Sequence, residues 1–250
     1  MATWYDFIII IFSGLGAGVI NVMAGGGSLL TLPVLIFSGL PSDVANGTNR
    51  VATLAHGVTT SVSFSRRGLI NKKTVCLLAA PALIGSVLGA LFANQISESL
   101  FNNILAVLMV VIVIFIIWNP QTRAFSDTFA LTASRKISAV ITFFVIGVYG
   151  GFIQAGVGIF IILALTSIFR MSLVQSNAYK MVVISLYTLL ALGVFIYNGN
   201  VNWILGAALA AGNAAGGWIG AQLAFKKGDS IVKVFLVIAV IGMAAKLLFF

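Results

Sequence analysis

Apolar runs of about 20 residues recur along this chain from end to end, and each is long enough to cross a hydrocarbon core about 30 Å thick. They cover Val44–Ser65, Thr74–Ala93, Leu100–Trp118, Leu173–Tyr197, Trp203–Phe225 and Ile231–Phe250. Lipid offers no water to solvate a bare backbone, so only helices or a closed barrel can occupy such a span. The runs are continuous rather than alternating in polarity, which excludes the barrel. With 60% of residues hydrophobic and only 8% charged, against about 25% charged in soluble domains, the chain reads as an all-α polytopic membrane protein.

Two further apolar segments, Trp4–Leu40 and Ile137–Phe169, are too long for one straight span. Each contains glycines where a helix would otherwise continue. The first is "MAGGGSLLTLP", Met23–Pro33, with Gly25, Gly26 and Gly27 in a row; the second holds Gly156 and Gly158. A helix-interior glycine costs roughly 1 kcal/mol relative to alanine, so three together predict a break.

The chain also repeats itself. At an offset of 131 residues Gly16 meets Gly147, Gly25 meets Gly156, Gly27 meets Gly158, Asn46 meets Asn177, Phe64 meets Phe195 and Asn71 meets Asn202. Gly85 and Gly89 meet Gly216 and Gly220 at the same offset. These four read as small-residue faces for close helix packing. Loop charge is opposite in the two halves: Arg66, Arg67, Lys72 and Lys73 correspond to a loop without bases, while base-free loops correspond to Arg170 and to Lys226 with Lys227. Cytoplasmic loops collect the bases. Treating each glycine-broken segment as a hairpin puts every loop base, Arg123, Arg135 and Lys136 included, on one face. The predicted architecture is two inverted-topology repeats, each a glycine-broken helical hairpin plus three transmembrane helices. Residues 1–120 form the first repeat, 121–136 a cytoplasmic linker and 137–250 the second repeat. Whether the hairpins at 4–40 and 137–169 span fully or turn back within the membrane stays open at this level.

Candidate binding residues follow from the breaks and from charge. A break frees the amides of the next helix, whose positive dipole end suits an anion. Gly25, Gly26, Gly27, Gly156 and Gly158 would let a ligand approach the backbone, and Ser28 is placed to cap or to donate a hydroxyl. Arg50 and Lys180 lie about two turns inside their spans, with no Asp or Glu at comparable depth. An intramembrane cation marks a functional site by default, and the anion it wants is expected to be the substrate; snorkelling to headgroups is the competing reading. On this reading Gln at either position weakens anion binding about ten- to a hundredfold and leaves folding intact. Asn21, Asn46, Asn49, Gln154 and Asn177 add amide donors, or else serve as interhelical glue. His56, matched by Tyr187 in the second half, is the sole histidine: a candidate for proton coupling, weighed against a satisfied packing residue.

The net charge of +9 is accounted for by loop bases, so nucleic acid is not an expected partner. No HExxH, CxxC or P-loop pattern occurs; neither a metal nor a cofactor is expected, and the chain reads as a non-enzyme. The single Cys76 excludes an intrachain disulfide.

The stretch "GLGAGVINVMAGGGSLLTLPVLIFSGLPSDVANGTNRVA", Gly14–Ala52, resembles the opening of the sulfite exporter TauE/SafE family, also called the 4-toluene sulfonate uptake permease family. The shared features are a Gly-rich break, an apolar stretch with proline, and an A-x-G-T-N/S start to the next span. The resemblance implies transport of sulfur oxyanions such as sulfite or organosulfonates across a bacterial inner membrane, by alternating access at the repeat interface. The residues alone reach "anion transporter"; the resemblance supplies "sulfur". An anion channel is the alternative, and a membrane-embedded enzyme acting on lipid phosphates ranks last for want of a deep carboxylate. The expected partners are a small anionic substrate and the lipid bilayer, with a homodimer left open.

Overall fold

The computed structural model describes residues 4–23, 25–65, 68–118, 132–224 and 241. Among these the regular elements are helices: α1 Trp4–Met23, α2 Ser28–Phe37, α3 Ser42–Ser65, α4 Lys72–Ala93, α5 Glu98–Trp118, α6 Ala133–Phe152, α7 Val157–Phe169, α8 Leu173–Tyr197 and α9 Trp203–Ala224. Five of them, α1, α4, α6, α8 and α9, are long and apolar enough to cross a membrane. The expected span Ile231–Phe250 lies outside the described residues apart from Ile241, as do Arg66, Arg67, Arg123, Lys226 and Lys227.

Local chemistry sets several of these boundaries. Asn71 caps α4 by accepting from the Lys73 amide at 2.9 Å, and Ser172 caps α8 by accepting from the Gln175 amide at 3.2 Å. Such caps satisfy amides that have no carbonyl partner in the first turn. α6 begins at Ala133, inside the stretch expected to be linker, because Thr132 is extended there and nothing in Ser134–Lys136 opposes a helix. Both overlong segments are divided as their glycines predict. α1 stops at Met23 and α2 starts at Ser28; α6 stops at Phe152 and α7 starts at Val157. With 10 and 13 residues, α2 and α7 are roughly 15 and 20 Å long, each too short to span the bilayer alone.

Polarity is inside out relative to a soluble bundle. Phe12, Ile84, Ile114, Ile141 and Ile204 face outward, while α3, the helix richest in polar side chains, buries Asn46, Thr48, Asn49, Arg50, Thr53, His56 and Thr60. An exterior solvated by lipid favours this arrangement.

The long helices pair across the chain: α1 lies along α9, and α4 along α6. The approach is so close that a Cβ at Gly14 would sit 2.7 Å from the Leu209 carbonyl oxygen, and one at Gly89 2.7 Å from the Phe152 amide nitrogen. Gly85, Gly89, Gly216 and Gly220 thus all stand at backbone contacts, as their spacing predicts. In hydrocarbon, where no hydrophobic force drives helices together, such contacts carry the association.

The loops gather at two ends. Asn200 Nδ2 donates to Asn94 Oδ1 at 2.6 Å, and the Ser42 amide donates to Glu98 Oε1 at 3.3 Å, joining the turns after α2, α4 and α8. The Asn71 amide, in the turn before α4, instead donates to the Tyr179 hydroxyl near the start of α8 at 2.8 Å.

Candidate functional site

The two breaks meet in the interior. In the first, Gly25 adopts φ +79° and its amide turns back to the carbonyls of Ile20 and Asn21 at 3.2 and 3.1 Å. In the second, Gln154 and Gly156 have φ +63° and +69°. Gly25 and Gly156, repeat partners at offset 131, therefore share the left-handed conformation that glycine adopts without cost. A Cβ on Gly25 would lie 2.7 Å from the Gly158 carbonyl carbon, and one on Gly158 would lie 2.6 Å from Gly25 O. The tips touch backbone to backbone. Gly27 packs on the end of α1, where a Cβ would press on Asn21 at 2.8 Å, and Gly26 is buried beside it. The expected cap by Ser28 is not formed. Gly27, which has no side chain to cap with, is the N-cap of α2, and Ser28 is the first helical residue.

Each tip is held by a cation from the other half of the chain. Arg50 on α3, fully buried, donates through Nη1 to Gly150 O at 3.0 Å and Gln154 Oε1 at 3.2 Å. Its Nη2 donates to Gly151 O and to Asn46 Oδ1 at 3.3 Å. Asn46 completes the set, donating Nδ2 to Phe152 O at 2.7 Å. The last three carbonyls of α6 are thus all taken by α3. Lys180 on α8, also fully buried, donates to Asn21 O at 2.8 Å, Val22 O at 3.5 Å and Asn177 Oδ1 at 2.6 Å. Here α8 closes the end of α1. The terminal carbonyls of a helix carry roughly half a negative charge, so a cation belongs there.

This arrangement corrects the reading of Arg50 and Lys180 as cations without an internal counterpart. The ends of two broken helices give both of them carbonyl partners. Snorkelling is excluded for both, since neither is exposed.

The remaining predicted residues fall around these centres. Asn46 and Gln154 join Arg50; Asn177 and the backbone of Asn21 join Lys180. Asn49 faces α2, accepting from the Thr31 hydroxyl at 2.6 Å, and its Nδ2 has no partner. His56 stands apart, in the seam between α3 and α9. Four contributors escaped the sequence reading. Phe195 lies under the Arg50 guanidinium, 4.6 Å from its carbon to the ring centroid. Thr31 orients Asn49, and Thr188 accepts from Gln154 Nε2 at 3.0 Å. Tyr187 packs on the bare backbone of Gly150, its hydroxyl near Gln154 and Thr188 but in bonding geometry with neither. Its pairing with His56 at offset 131 is the signal that could have found it.

Three buried donors around α3 thus lack acceptors: Arg50 Nε, Asn49 Nδ2 and the Tyr187 hydroxyl. Buried donors seldom go unpaired, and a group of them beside a cation suits a small anion rather than a nucleophile or a metal. The model of the sulfite exporter TauE/SafE family matches residues 10–247. The chain belongs to that family. It is 26% identical to a probable membrane transporter protein of Haemophilus influenzae, over 98% of this chain and 95% of the relative. Identity to the probable membrane transporter protein ORF9 of a Sinorhizobium species is 29%, over 93% of this chain and 88% of the relative. The probable membrane transporter protein YfcA of Escherichia coli K12 is 27% identical, over 96% of this chain and 89% of the relative. No solved structure matches this chain. This TauE/SafE protein is accordingly a multi-pass membrane protein of a transporter family.

Proposed function

We propose that this TauE/SafE protein is a secondary transporter of small sulfur-containing oxyanions, sulfite or an organosulfonate, in a bacterial inner membrane. The observation that carries the reading is the pair of buried cations at helix breaks, with the unpaired donors Arg50 Nε, Asn49 Nδ2 and the Tyr187 hydroxyl around the first of them. The family supplies the sulfur.

The proposed mechanism is alternating access between two inverted repeats. Three features support it: the reciprocal packing of α1 on α9 and α4 on α6, the reciprocal capping of each tip by the other half, and the gathering of the turns after α2, α4 and α8 at one end. A sulfur oxyanion offers charged oxygens, stronger acceptors than carbonyls. Arriving at Arg50 or Lys180 it competes with the helix end for the cation and loosens one tip from its latch. Binding energy is thereby converted into movement of one hairpin against the other repeat. An anion channel could use the same residues.

Counterflow in proteoliposomes tests transport. Vesicles preloaded with unlabelled organosulfonate should accumulate labelled sulfonate transiently, with saturating rates. Flux that neither saturates nor counterflows makes the protein a channel; no flux of any sulfur oxyanion removes the substrate class. Topology has its own test. Gly68 and Gly199 are repeat partners in turns, and nothing lies within 4 Å of a Cβ at either. In a Cys76→Ser background, Gly68→Cys and Gly199→Cys should react with an impermeant thiol reagent from opposite sides of the membrane. Reaction from one side would overturn the inverted repeat.

A further inference from the structure

His56 is a buried ionisable ring that belongs to neither latch. It is fully buried, with Nδ1 3.2 Å from the Asn213 carbonyl oxygen. A carbonyl only accepts, so Nδ1 carries the hydrogen and Nε2 presents a lone pair. That Nε2 has no hydrogen-bond partner, and neither do the Thr60 hydroxyl and the Asn213 side-chain oxygen on the same α3–α9 seam. The ring has room only because position 217 is glycine: a Cβ there would lie 2.8 Å from His56 Cε1 and 2.9 Å from Thr60 Oγ1. A satisfied packing histidine would have both nitrogens bonded. This one holds an open proton acceptor in the bundle interior.

Among the described residues its charged surroundings are simple. α8, which packs on α3, carries the Lys180 ammonium. α8 also carries Tyr179, Tyr187 and, at its far end, Tyr197, and α3 itself Asp43 and Arg50. α1 brings Tyr5 and Asp6 and α5 brings Glu98, all in first turns, and α2 and the described part of α9 bring no ionisable side chain. A proton on His56 therefore adds a second positive charge to the interior that holds Lys180, where the low dielectric strengthens repulsion. An anion at Lys180 removes that repulsion. Proton and anion each raise the affinity of the site for the other, by the same factor.

We propose that His56 Nε2 takes up one proton from the aqueous phase as the anion binds and releases it with the anion on the far side, making this protein a proton–anion symporter. The inference rests on the anion-transport reading above. No bond other than N–H forms or breaks, and the protein returns to its starting state in each cycle.

The test uses the full chain in proteoliposomes with an organosulfonate, the anion of a strong acid, which brings no proton of its own. A trapped pH dye reports the lumen. Wild type should take up sulfonate faster under an inward proton gradient, and sulfonate entry should acidify the lumen. His56→Gln, whose amide can still donate to Asn213 O, should lose both effects while sulfonate counterflow continues. A wild type that counterflows sulfonate, but whose net sulfonate uptake leaves the lumen pH unchanged or raises it, overturns the symport and leaves the transport reading standing. No counterflow in wild type overturns both. Should His56→Gln fail to fold, the wild-type proton measurement decides.

Discussion

Arg50→Gln is expected to lower the thermal stability of the protein in detergent by roughly 10 °C or more, before any effect on transport is considered. Glutamine is too short to reach both Gly150 O and Gly151 O, and it gives up the stacking on Phe195. Each buried acceptor left unpaired costs about 1–3 kcal/mol, and the lost charge at the end of α6 removes up to ~2 kcal/mol more. A loss of about 3–5 kcal/mol corresponds to a shift of this size in a chain of this length. This reverses the sequence-based expectation that folding is untouched. Arg50→Lys should lie in between, because one ammonium can hold one or two carbonyls but not the fork. If Arg50→Gln melts with wild type, the guanidinium is not holding the helix end. If it melts early and still binds sulfonate as wild type does, Arg50 is a latch alone and not a ligand.

Gly25→Ala should abolish transport. At φ +79° any side chain is strained by about 1–2 kcal/mol, and the new Cβ would press on Gly158 C at 2.7 Å and on the Ile159 amide nitrogen at 2.8 Å. Those are backbone atoms of the opposing tip, which cannot yield by changing a rotamer. The two breaks must move apart, and the backbone contact of Gly25 with Gly158 is lost. The sequence marked Gly25, Gly26 and Gly27 alike; of the three, the left-handed conformation belongs to Gly25. Gly193→Ala is the matched control. Gly193 is exposed within α8 with nothing within 4 Å of its Cβ position, so alanine should be neutral or slightly stabilising. Wild-type transport by Gly25→Ala would reduce the tip contact to incidental packing.

What the amino-acid sequence determined by itself is everything that depends on short range or on solvent. Runs of apolar residues gave the helices, because no other structure satisfies its backbone in lipid. Consecutive glycines gave the breaks at Gly25–Gly27 and around Gly156, and the 131-residue offset paired Asn46 with Asn177 in equivalent roles, each with its Oδ1 on a buried cation. Spacing alone marked Gly85, Gly89, Gly216 and Gly220 as packing faces.

Only the tertiary structure decided what the cations touch. Arg50 and Gly151 are 101 residues apart in the chain, and Lys180 and Asn21 are 159 apart. Nothing local to either segment encodes the meeting. A carbonyl also leaves no mark in a sequence, since every residue carries one; only Asp and Glu register there as counter-charges. The exchange of partners between halves is set by which helices lie side by side, and that follows from shape: glycine-lined grooves on α4 and α9 that admit the backbones of α6 and α1. Ser28 fell one position out of place for a similar reason. Which residue caps a helix depends on where the preceding break lets it start, and the first tip, closed by Gly25 against Gly158, starts α2 at Ser28 itself.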